Sequence, residues 1–305
     1  MVFAATEWTA MNTERRAYKS DISDEQWQLI GPELERLTPP SHLGQPRKVD
    51  LREVYNTIQY QARSGCQWDM LPHDLLPKST VYDYFKRWRD DGTLDRLNAY
   101  VGKLVRQADS PDREEFASAG SIDSKTVPST QACEGRGYDG GKKITGRKRN
   151  IVVDSLGLLM AVSITLASVD DAMAARSVIP QIDRLAQPRL RVIWADNKYH
   201  NHSLNGHVQS HPLVDWKIEV VKRPPGTKGF VLLPKRWVVE RTFAWLDRYR
   251  RLSKDYETRA DSAEAWVKVV SINRMLRYLK PSPHQNPFNY PKKTVSAICL
   301  QSEIA

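Results

Sequence analysis

Cysteine is scarce in this 305-residue sequence, which contains three of them and no C-x-x-C pair. Cys66, Cys133 and Cys299 are far apart in the chain and odd in number. This excludes a disulfide framework and a zinc site built from paired thiolates. We expect all three side chains to be reduced and to have structural roles.

Long apolar runs are also absent, because no stretch approaches the ~18 consecutive apolar residues that a membrane helix needs. The first residues, MVFAATEWTAMNTERR, lack the basic start and the long apolar core of a signal peptide. No G-x-x-x-x-G-K-[ST] phosphate loop occurs, so no nucleotide cofactor is expected. The sequence therefore predicts a cytoplasmic protein that does not act at a membrane.

Acidic residues are too few to balance the basic ones: 46 Lys plus Arg stand against 36 Asp plus Glu, which gives a net charge of +10. Residues 21–110 contain 12 basic and 14 acidic residues, whereas residues 111–305 contain 31 and 20. Such an excess fits the binding of a polyanion through phosphate contacts, although many basic proteins bind no particular partner. Nucleic acid is thus a candidate partner of the C-terminal two thirds.

Length and shifts in composition divide the chain into four parts. At roughly 100 to 200 residues per domain, 305 residues suggest two folded domains. We predict a loose extension at 1–20, a helical domain at 21–115, a second domain at 116–280 and a tail at 281–305.

The segment 21–115 has the pattern of a small all-helical module. Its third helix follows a turn and begins at Ser79-Thr80, as the recognition helix of a helix-turn-helix does. An ordinary helical packing module is the alternative, because the segment as a whole is slightly acidic. The basic residues that this helix would offer to DNA are Lys86, Arg87 and Arg89.

From residue 116 on, the predicted elements follow the order β-β-β-α-β-α-β-α of the ribonuclease H-like fold. Three antiparallel strands are followed by strands that alternate with helices, which implies an α/β fold: a mixed sheet with helices on its faces. The predicted strands lie near 117–127, 150–154, 158–166, 190–195 and 216–222, and the predicted helices near 171–185, 199–209, 236–252 and 263–279.

Three carboxylates lie on elements that converge in this topology. Asp123 lies in the first strand, Asp196 directly follows the apolar fourth strand, and Glu240 lies beside the apolar stripe of a helix. Taken singly, each acid has an ordinary explanation: a turn or edge position for Asp123, a solvated surface charge for Asp196 and a salt bridge for Glu240. Taken together, three oxygen donors without Cys or a tight His cluster suit Mg²⁺ or Mn²⁺. Two such ions would support an in-line displacement at a phosphodiester.

Two basic clusters accompany these carboxylates and would supply affinity for phosphates without reading sequence. The first is rich in glycine, whose backbone can approach phosphates closely, and a flexible solvated loop is its alternative. The second shares a helix with Glu240, and there an aromatic residue would stack on an unpaired base unless it packs in the core. The predicted DNA contacts are Arg136, Lys142, Lys143, Arg147, Lys148 and Arg149 in the first cluster, and Lys235, Arg236, Trp237, Arg241, Arg248 and Arg251 in the second.

The sequence contains four long motifs in order: SIDSKTVPST, GRGYDGGKKITGRKRNIVVDSLGLLMAVSITLASVDD, WADNKYH and LLPKRWVVERTFAWLDRYRRLSKDYE. Over about residues 20–280 it resembles the DDE transposases of bacterial insertion sequences, specifically the group typified by insertion sequence five. The resemblance implies that Asp123, Asp196 and Glu240 are the catalytic triad, with 72 residues between the first two and 43 between the last two. It also implies a helical DNA-binding domain at the N-terminus.

The sequence departs from the Tyr, Arg, Glu, Lys signature that surrounds the glutamate in related insertion-sequence transposases. Arg236 and Glu240 match the Arg and the Glu of that signature. The Tyr position is Leu233 and the Lys position is Asp247, so the role of that lysine does not carry over.

The resemblance implies a transposase that binds the terminal inverted repeats of an insertion sequence, cleaves DNA at these ends and transfers the 3′-hydroxyl strands to target DNA. Two ions of Mg²⁺ or Mn²⁺ per active site would serve this reaction. Because two ends are handled together, we expect a homodimer on double-stranded DNA. The alternatives are a non-catalytic DNA-binding regulator derived from a transposase, and a ribonuclease H-like nuclease.

Overall fold

The structure is a computed structural model that describes residues 15–40, 47–182, 187–200, 202–210, 216–221, 233 and 235–281. The helices in these ranges are α1 (Asp24–Leu37), α2 (Leu51–Ser64), α3 (Lys78–Asp90), α4 (Thr93–Asp109), α5 (Asp171–Val178), α6 (His202–Ser210), α7 (Trp237–Leu246) and α8 (Ala260–Leu279). The strands are β1 (Ala119–Pro128), β2 (Gly137–Asp139), β3 (Ile144–Asp154), β4 (Leu159–Leu166), β5 (Val192–Ala195) and β6 (Lys217–Val220). Single 3₁₀ turns occur at Trp68–Met70, Ile179–Gln181, Asn197–Tyr199 and Arg250–Leu252.

The N-terminal helices begin and end at residues that favour these positions. Ser23 caps α1 in a capping box with Gln26, and Asp50 caps α2 through the N–H of Arg52. Gly65 ends α2 in the left-handed region with a φ of 69°, which glycine adopts without strain. These local signals explain why the sequence predicts a helical N-terminal segment.

α1 runs to Leu37 with Pro32 inside it, because Leu34 and Leu37 are buried in the core and this packing outweighs the hydrogen bond that the proline cannot make. Two other helices differ in length from the prediction. α5 is shorter than predicted and ends at Val178, where a 3₁₀ turn follows. α7 ends at Leu246, and the rest of the predicted helix is irregular apart from one 3₁₀ turn.

The six strands form one mixed sheet in the order β4-β3-β1-β5-β6, and β2 pairs with β3 before the stretch that pairs with β4. β1 is antiparallel to β3 and parallel to β5, and β6 is parallel to β5. Helices cover both faces of the sheet. This arrangement confirms the predicted α/β class with a ribonuclease H-like mixed sheet and flanking helices.

The alternation of side chains along the central strands separates two cores. Ile122 and Val152 face the side on which they pack with α5 and α6. Ile151 and Val153 face the other side, which α7 and α8 cover. Asp123 follows Ile122 in β1, so its side chain points to the side of α7.

The helical segment and the sheet share one core, and α8 packs against both of them. α8 is buried around most of its circumference, and its Trp266 stacks on Phe85 of α3 with ring centroids 4.6 Å apart. Asn98 of α4 donates a hydrogen bond of 2.8 Å to the carbonyl of Leu159 in β4. The boundary predicted at residue 115 is therefore a change of secondary structure within one continuous core.

Residues 15–20, which were expected to belong to a loose extension, pack against the helices. Arg15 forms ion pairs with Asp21 and Glu53. Tyr18 lies edge-on against Tyr60, with ring centroids 4.7 Å apart. The ordered helical segment thus begins earlier than predicted.

Two predicted features lie outside the described residues: the extension before residue 15 and the tail after Pro281. Within the described ranges, the helices are too short or too polar to cross a membrane.

Candidate active site

Asp123 and Asp196 lie at the same level on two adjacent parallel strands. Ser121 of β1 is opposite Trp194 of β5, so the residues two positions further on, Asp123 and Asp196, come together at one edge of the sheet. Asp123 lies within β1. Asp196 directly follows β5 and caps the next 3₁₀ turn by accepting a hydrogen bond of 2.9 Å from the N–H of Lys198.

Glu240 approaches from α7, which packs on β1. Val239 and Phe243 are buried in the core, and Thr242 donates a hydrogen bond of 3.1 Å to the carbonyl of Gly157, in the turn between β3 and β4. A Cβ at Gly157 would lie 2.7 Å from the Thr242 hydroxyl, so this contact requires glycine. These contacts fix the helix, while the Glu240 side chain is 53% exposed.

All three carboxylates surround one guanidinium group. Nη2 of Arg236 lies 3.4 Å from Oδ2 of Asp123, 3.9 Å from Oδ2 of Asp196 and 4.0 Å from Oε1 of Glu240. The Arg236 side chain is 13% exposed and lies one helical turn before Glu240. The structure thus brings together the three acids that the sequence singled out, with an arginine of the same signature between them.

The electrostatics of this site favour a bound cation. Burial raises the pKa of Asp123 to about 6. The N–H of Ser124, at 2.8 Å, and the Arg236 guanidinium oppose this rise, whereas Asp196 and Glu240 add to it. Three carboxylates face one guanidinium, so the site has more negative charge than Arg236 neutralises.

The donor set fits a divalent metal ion. Carboxylate oxygens are the ligands that Mg²⁺ and Mn²⁺ prefer, and the space between these three already holds the positive charge of Arg236. In the part of the chain that the structure describes, no three Asp, Glu, His or Cys side chains are close enough to hold a metal directly. The Arg236 guanidinium occupies the space between Asp123, Asp196 and Glu240 in which these residues would hold a metal ion.

A fourth carboxylate, that of Asp171, supports the edge of the site. Asp171, at the start of α5, accepts hydrogen bonds from Oγ of Ser124 at 2.6 Å and from Nζ of Lys148 at 2.8 Å, and Lys198 lies 3.4 Å away. Burial acts to raise the pKa of Asp171, but the hydrogen bonds from Lys148 and Ser124 outweigh it, and the pKa is lowered. Sequence reasoning missed this role, because an aspartate at a helix start is an ordinary capping feature.

Asp247 stands at the position where the signature has lysine. A lysine from another element forms an ion pair with it. Lys125 of β1 forms an ion pair with Asp247, just after α7. Both side chains are more than a third exposed, and Lys125 lines the same groove as Glu240. No local sequence pattern predicts this pair, because 122 positions separate its members.

A groove of about 880 Å³ opens beside Glu240. Lys125 and Lys142 line it, together with Asp139 and the exposed ring of Tyr138. Lysines suit phosphates, and an exposed aromatic ring suits an unpaired base. The groove therefore has the chemistry to hold one strand of a nucleic acid.

The predicted DNA contacts include exposed, half-buried and buried residues. Trp237 and Arg241 are half-buried, and the Arg241 guanidinium lies 4.3 Å from the ring of Trp237 and 4.4 Å from that of Trp245. This guanidinium covers one face of each ring, which leaves less aromatic surface for a base than expected. The exposed members are Lys86, Arg87, Arg136, Lys142, Lys143, Lys235 and Arg248.

The structure differs from the prediction at Arg147, Lys148 and Arg149, which are buried in β3. Arg147 donates hydrogen bonds of 2.9 and 2.6 Å to the carbonyls of Glu257 and Thr258. Lys148 and Arg149 likewise donate to backbone carbonyls, before α5 and after α7. The glycine-rich stretch forms β2 and the turn that leads into β3, and these three cations are held by hydrogen bonds within the protein, which differs from the DNA contacts predicted for them.

Arg89 and Arg251 are also held within the protein. Arg89 donates a hydrogen bond of 2.7 Å to Oγ of Ser262 at the start of α8. Arg251 is buried, donates a hydrogen bond of 3.1 Å to the carbonyl of Cys66 and forms an ion pair with Glu257. Both side chains join the helical segment to the C-terminal part of the fold, which differs from the DNA contacts predicted for them.

Comparison with protein families gives two matches that together cover most of the described chain. Residues 22–98 match a family described as "Putative transposase of IS4/5 family". Residues 114–273, more than half of the 305, match a family described as "Transposase DDE domain". The second match includes Asp123, Asp196 and Glu240.

Comparison with curated proteins gives a relative from Burkholderia cepacia, named "Putative transposase for insertion sequence element IS402". The two sequences are 34% identical over 134 residues. The match covers 41% of this chain and 60% of the relative, so the chain spans less than two thirds of the relative's length. No solved structure matches the chain.

Proposed function

The chain belongs to the IS4/5 family of DDE transposases, and from this premise we propose that it mobilises an insertion sequence. It binds the terminal inverted repeats of the element, cleaves the DNA at these ends and transfers the 3′-hydroxyl strands to target DNA. The observation that carries this proposal is the convergence of Asp123, Asp196 and Glu240 within 4.0 Å of one nitrogen of Arg236.

Asp123, Asp196 and Glu240 are the residues that would hold divalent metal ions. Two Mg²⁺ or Mn²⁺ ions at this position would activate a water or a 3′-hydroxyl and stabilise the leaving oxygen of the phosphodiester. Asp123 and Asp196 contribute their carboxylates from the edge of the sheet. Glu240 is the most exposed of the three, and we assign to it the orientation of the attacking group.

Arg236 has two roles in this proposal. In the described conformation its guanidinium neutralises part of the carboxylate charge. When it withdraws, its planar group stays at the edge of the site, where its donors match two oxygens of a phosphate. The same side chain thus stabilises the resting site and positions the phosphate that is cut.

The groove beside Glu240 is the path that we assign to a DNA strand at the active site. Lys125 and Lys142 would contact phosphates there, and the exposed ring of Tyr138 would stack on an unpaired base. These contacts hold the strand in position without reading its sequence.

We assign the recognition of the terminal repeats to α3. Val81, Phe85 and Trp88 anchor this helix in the core, so the face with Lys86 and Arg87 is exposed. A helix that follows a turn and has a free outer face suits the major groove of DNA. Because two ends are joined in one reaction, we propose that a homodimer acts on the DNA.

Strand cleavage and joining by the purified protein test the proposal. A labelled duplex with the end of the element and a supercoiled target are incubated with the protein in Mg²⁺ or in EDTA. The expected result is Mg²⁺-dependent cleavage at the end together with a joined product. Asp123→Asn, Asp196→Asn and Glu240→Gln should abolish both products, whereas Asp112→Asn, at an exposed acid in the loop after α4, should retain them.

Other outcomes would point to the alternative functions. End binding without cleavage by the wild-type protein would favour a DNA-binding regulator. Cleavage without a joined product would favour a ribonuclease H-like nuclease. Full activity in one of the three carboxylate variants would overturn the role assigned to that residue.

A further inference from the structure

Four arginines from three helices lie together around two aromatic rings. The guanidinium groups of Arg241 and Arg274 lie 4.4 and 3.9 Å from the ring of Trp245. The guanidinium of Arg63 lies 4.9 Å from the ring of Tyr249. The arginine cluster comprises Arg63 of α2, Arg241 of α7, and Arg274 and Arg277 of α8.

No carboxylate that the structure describes is paired with the arginine cluster. Among the described residues, none of its four members forms an ion pair with an Asp or a Glu. The carboxylate that acts on Arg241 and Arg274 is Asp154, which is already paired with Arg106. Such a group of half-buried cations is unusual, because buried charges are normally paired.

Each of the two central guanidinium groups is anchored by one nitrogen. Nη2 of Arg241 donates a hydrogen bond of 3.0 Å to the carbonyl of Leu156, and Nη2 of Arg274 donates one of 3.1 Å to the carbonyl of Gly157. Nε of Arg241 is buried and has no hydrogen-bond partner within the described structure. Neutral carbonyls orient these groups but leave their charge uncompensated.

The cations of the cluster oppose one another. Burial, followed by repulsion from Arg241, lowers the pKa of Arg274 to about 10. Burial lowers the pKa of Arg241 as well. Burial lowers the pKa of Arg277, and the nearby Arg63 adds to this effect. An anion at the cluster would therefore relieve an unfavourable arrangement.

We propose that the arginine cluster binds backbone phosphates of double-stranded DNA outside the catalytic site. The inference rests on the proposed function, which makes DNA the substrate. Arg241 directly follows Glu240 in α7, so DNA that is cut at Glu240 has its flank near the cluster. Arg63 comes from the helical segment, so the cluster connects the two parts of the chain that we place on DNA. Guanidinium groups cover faces of Trp245 and Tyr249, which favours contact with phosphates over stacking on bases.

The salt dependence of DNA binding tests this proposal, in EDTA so that the duplex stays intact. The variants are Arg241→Gln and Arg274→Gln. Arg36→Gln is the matched control, because Arg36 is an exposed arginine paired with Glu33 on α1. For each phosphate contact that is lost, the slope of log K against log[salt] should fall in magnitude by about 0.9. Affinity at a fixed salt concentration should fall severalfold, whereas the control should keep the wild-type slope.

Thermal unfolding of the same variants distinguishes phosphate binding from a purely structural role. Because no carboxylate in the described ranges pairs with the cluster, loss of one cation should leave Tm unchanged or raise it. Duplex DNA should raise Tm more in the wild type than in the variants. A lower Tm together with an unchanged salt slope would overturn the proposal.

A second set of variants covers the case in which the Gln variants do not fold. Arg274→Lys retains the charge and should keep the slope, whereas Arg63→Gln, at the edge of the cluster, should lower it. Equal slopes for these two variants would contradict the proposal.

Mg²⁺-dependent cleavage by the wild-type protein is measured in parallel, so that the two proposals fail separately. Cleavage together with an unchanged slope in the variants would overturn the role of the arginine cluster alone. A lowered slope without cleavage would overturn the enzymatic proposal alone.

Discussion

A guanidinium nitrogen of Arg236 lies 3.4 Å from Oδ2 of Asp123, in the space between the three carboxylates that would bind metal. Arg236 and a metal ion would therefore compete for the same ligands. This contact explains how three converging acids are accommodated without a metal ion. It also makes Arg236 a residue whose replacement has opposite effects with and without metal.

Arg236→Gln is expected to destabilise the metal-free protein by about 1–2 kcal/mol, because it leaves three nearby carboxylates without their shared cation. The same variant should bind Mn²⁺ more tightly, because no guanidinium has to be displaced. Tm measured in EDTA and at increasing Mn²⁺ concentrations checks both effects. Lys235→Gln is the control, since Lys235 is exposed and pairs with Glu219. A Mn²⁺-induced rise in Tm no larger than in the wild type would contradict competition.

The pair between Lys125 and Asp247 leads to a second prediction, on activity rather than stability. Both side chains are more than a third exposed, so their ion pair contributes at most about 1 kcal/mol. Lys125→Gln removes a cation from the groove beside Glu240 and should lower the rate of strand cleavage by about tenfold or more. Asp247→Asn leaves that cation in place and should retain most of the activity. Equal losses in the two variants would indicate that the pair itself, and not the lysine, is required.

The sequence was sufficient to predict that the three acids converge, because each lies next to a strong local pattern. Asp123 is a charged residue within a strand, Asp196 directly follows a strand, and Glu240 lies beside buried helix positions. The strand register that brings Asp123 level with Asp196 follows from the topology of the fold. The position of Arg236 between them did not follow, because it depends on how α7 is rotated against the sheet.

The structure differs from the prediction for the basic residues of β3, because several of their hydrogen-bond partners lie far away in the sequence. Arg147 and Arg149 lie in a stretch with the composition of a solvated loop, yet Arg147 donates to the carbonyl of Glu257 and Arg149 to that of Leu252, both more than 100 positions away. No pattern in the neighbouring sequence indicates such distant hydrogen-bond partners. The sequence does indicate the core that the helical segment and the sheet share. α8 is apolar around most of its circumference, as expected of a helix surrounded by protein.

Replacement of the buried Arg147 should therefore affect stability, whereas replacement of the nearby exposed Lys142 should not. Arg147→Met removes the cation that pairs with Oδ2 of Asp255 and donates to the carbonyls of Glu257 and Thr258, and should cost about 3–5 kcal/mol. Lys142→Met should stay within about 0.5 kcal/mol of the wild type and weaken DNA binding. Urea unfolding and DNA titration of both variants check this contrast. Similar stabilities for the two variants would show that the guanidinium of Arg147 is not needed for folding.

Asp171 gives the fold a dependence on pH whose sign follows from its lowered pKa. Hydrogen bonds from Lys148 and Ser124 hold the folded-state pKa below that of the unfolded chain, and Lys198 and Tyr199 are the other titratable groups that face it. The resulting stability is fully present above the unfolded pKa of about 3.9 and is lost as the pH falls through the folded value.

Asp171→Asn should therefore be less stable than the wild type by about 1–3 kcal/mol at pH 7, and this difference should shrink as the pH falls below about 4. Urea unfolding of both proteins across this range measures the difference directly. Asp112→Asn is the control, because Asp112 is exposed and its replacement should leave the stability close to wild type at each pH. A constant difference between Asp171→Asn and the wild type down to pH 3 would mean that the carboxylate stabilises the fold by its shape and hydrogen bonds alone, and that its charge contributes nothing.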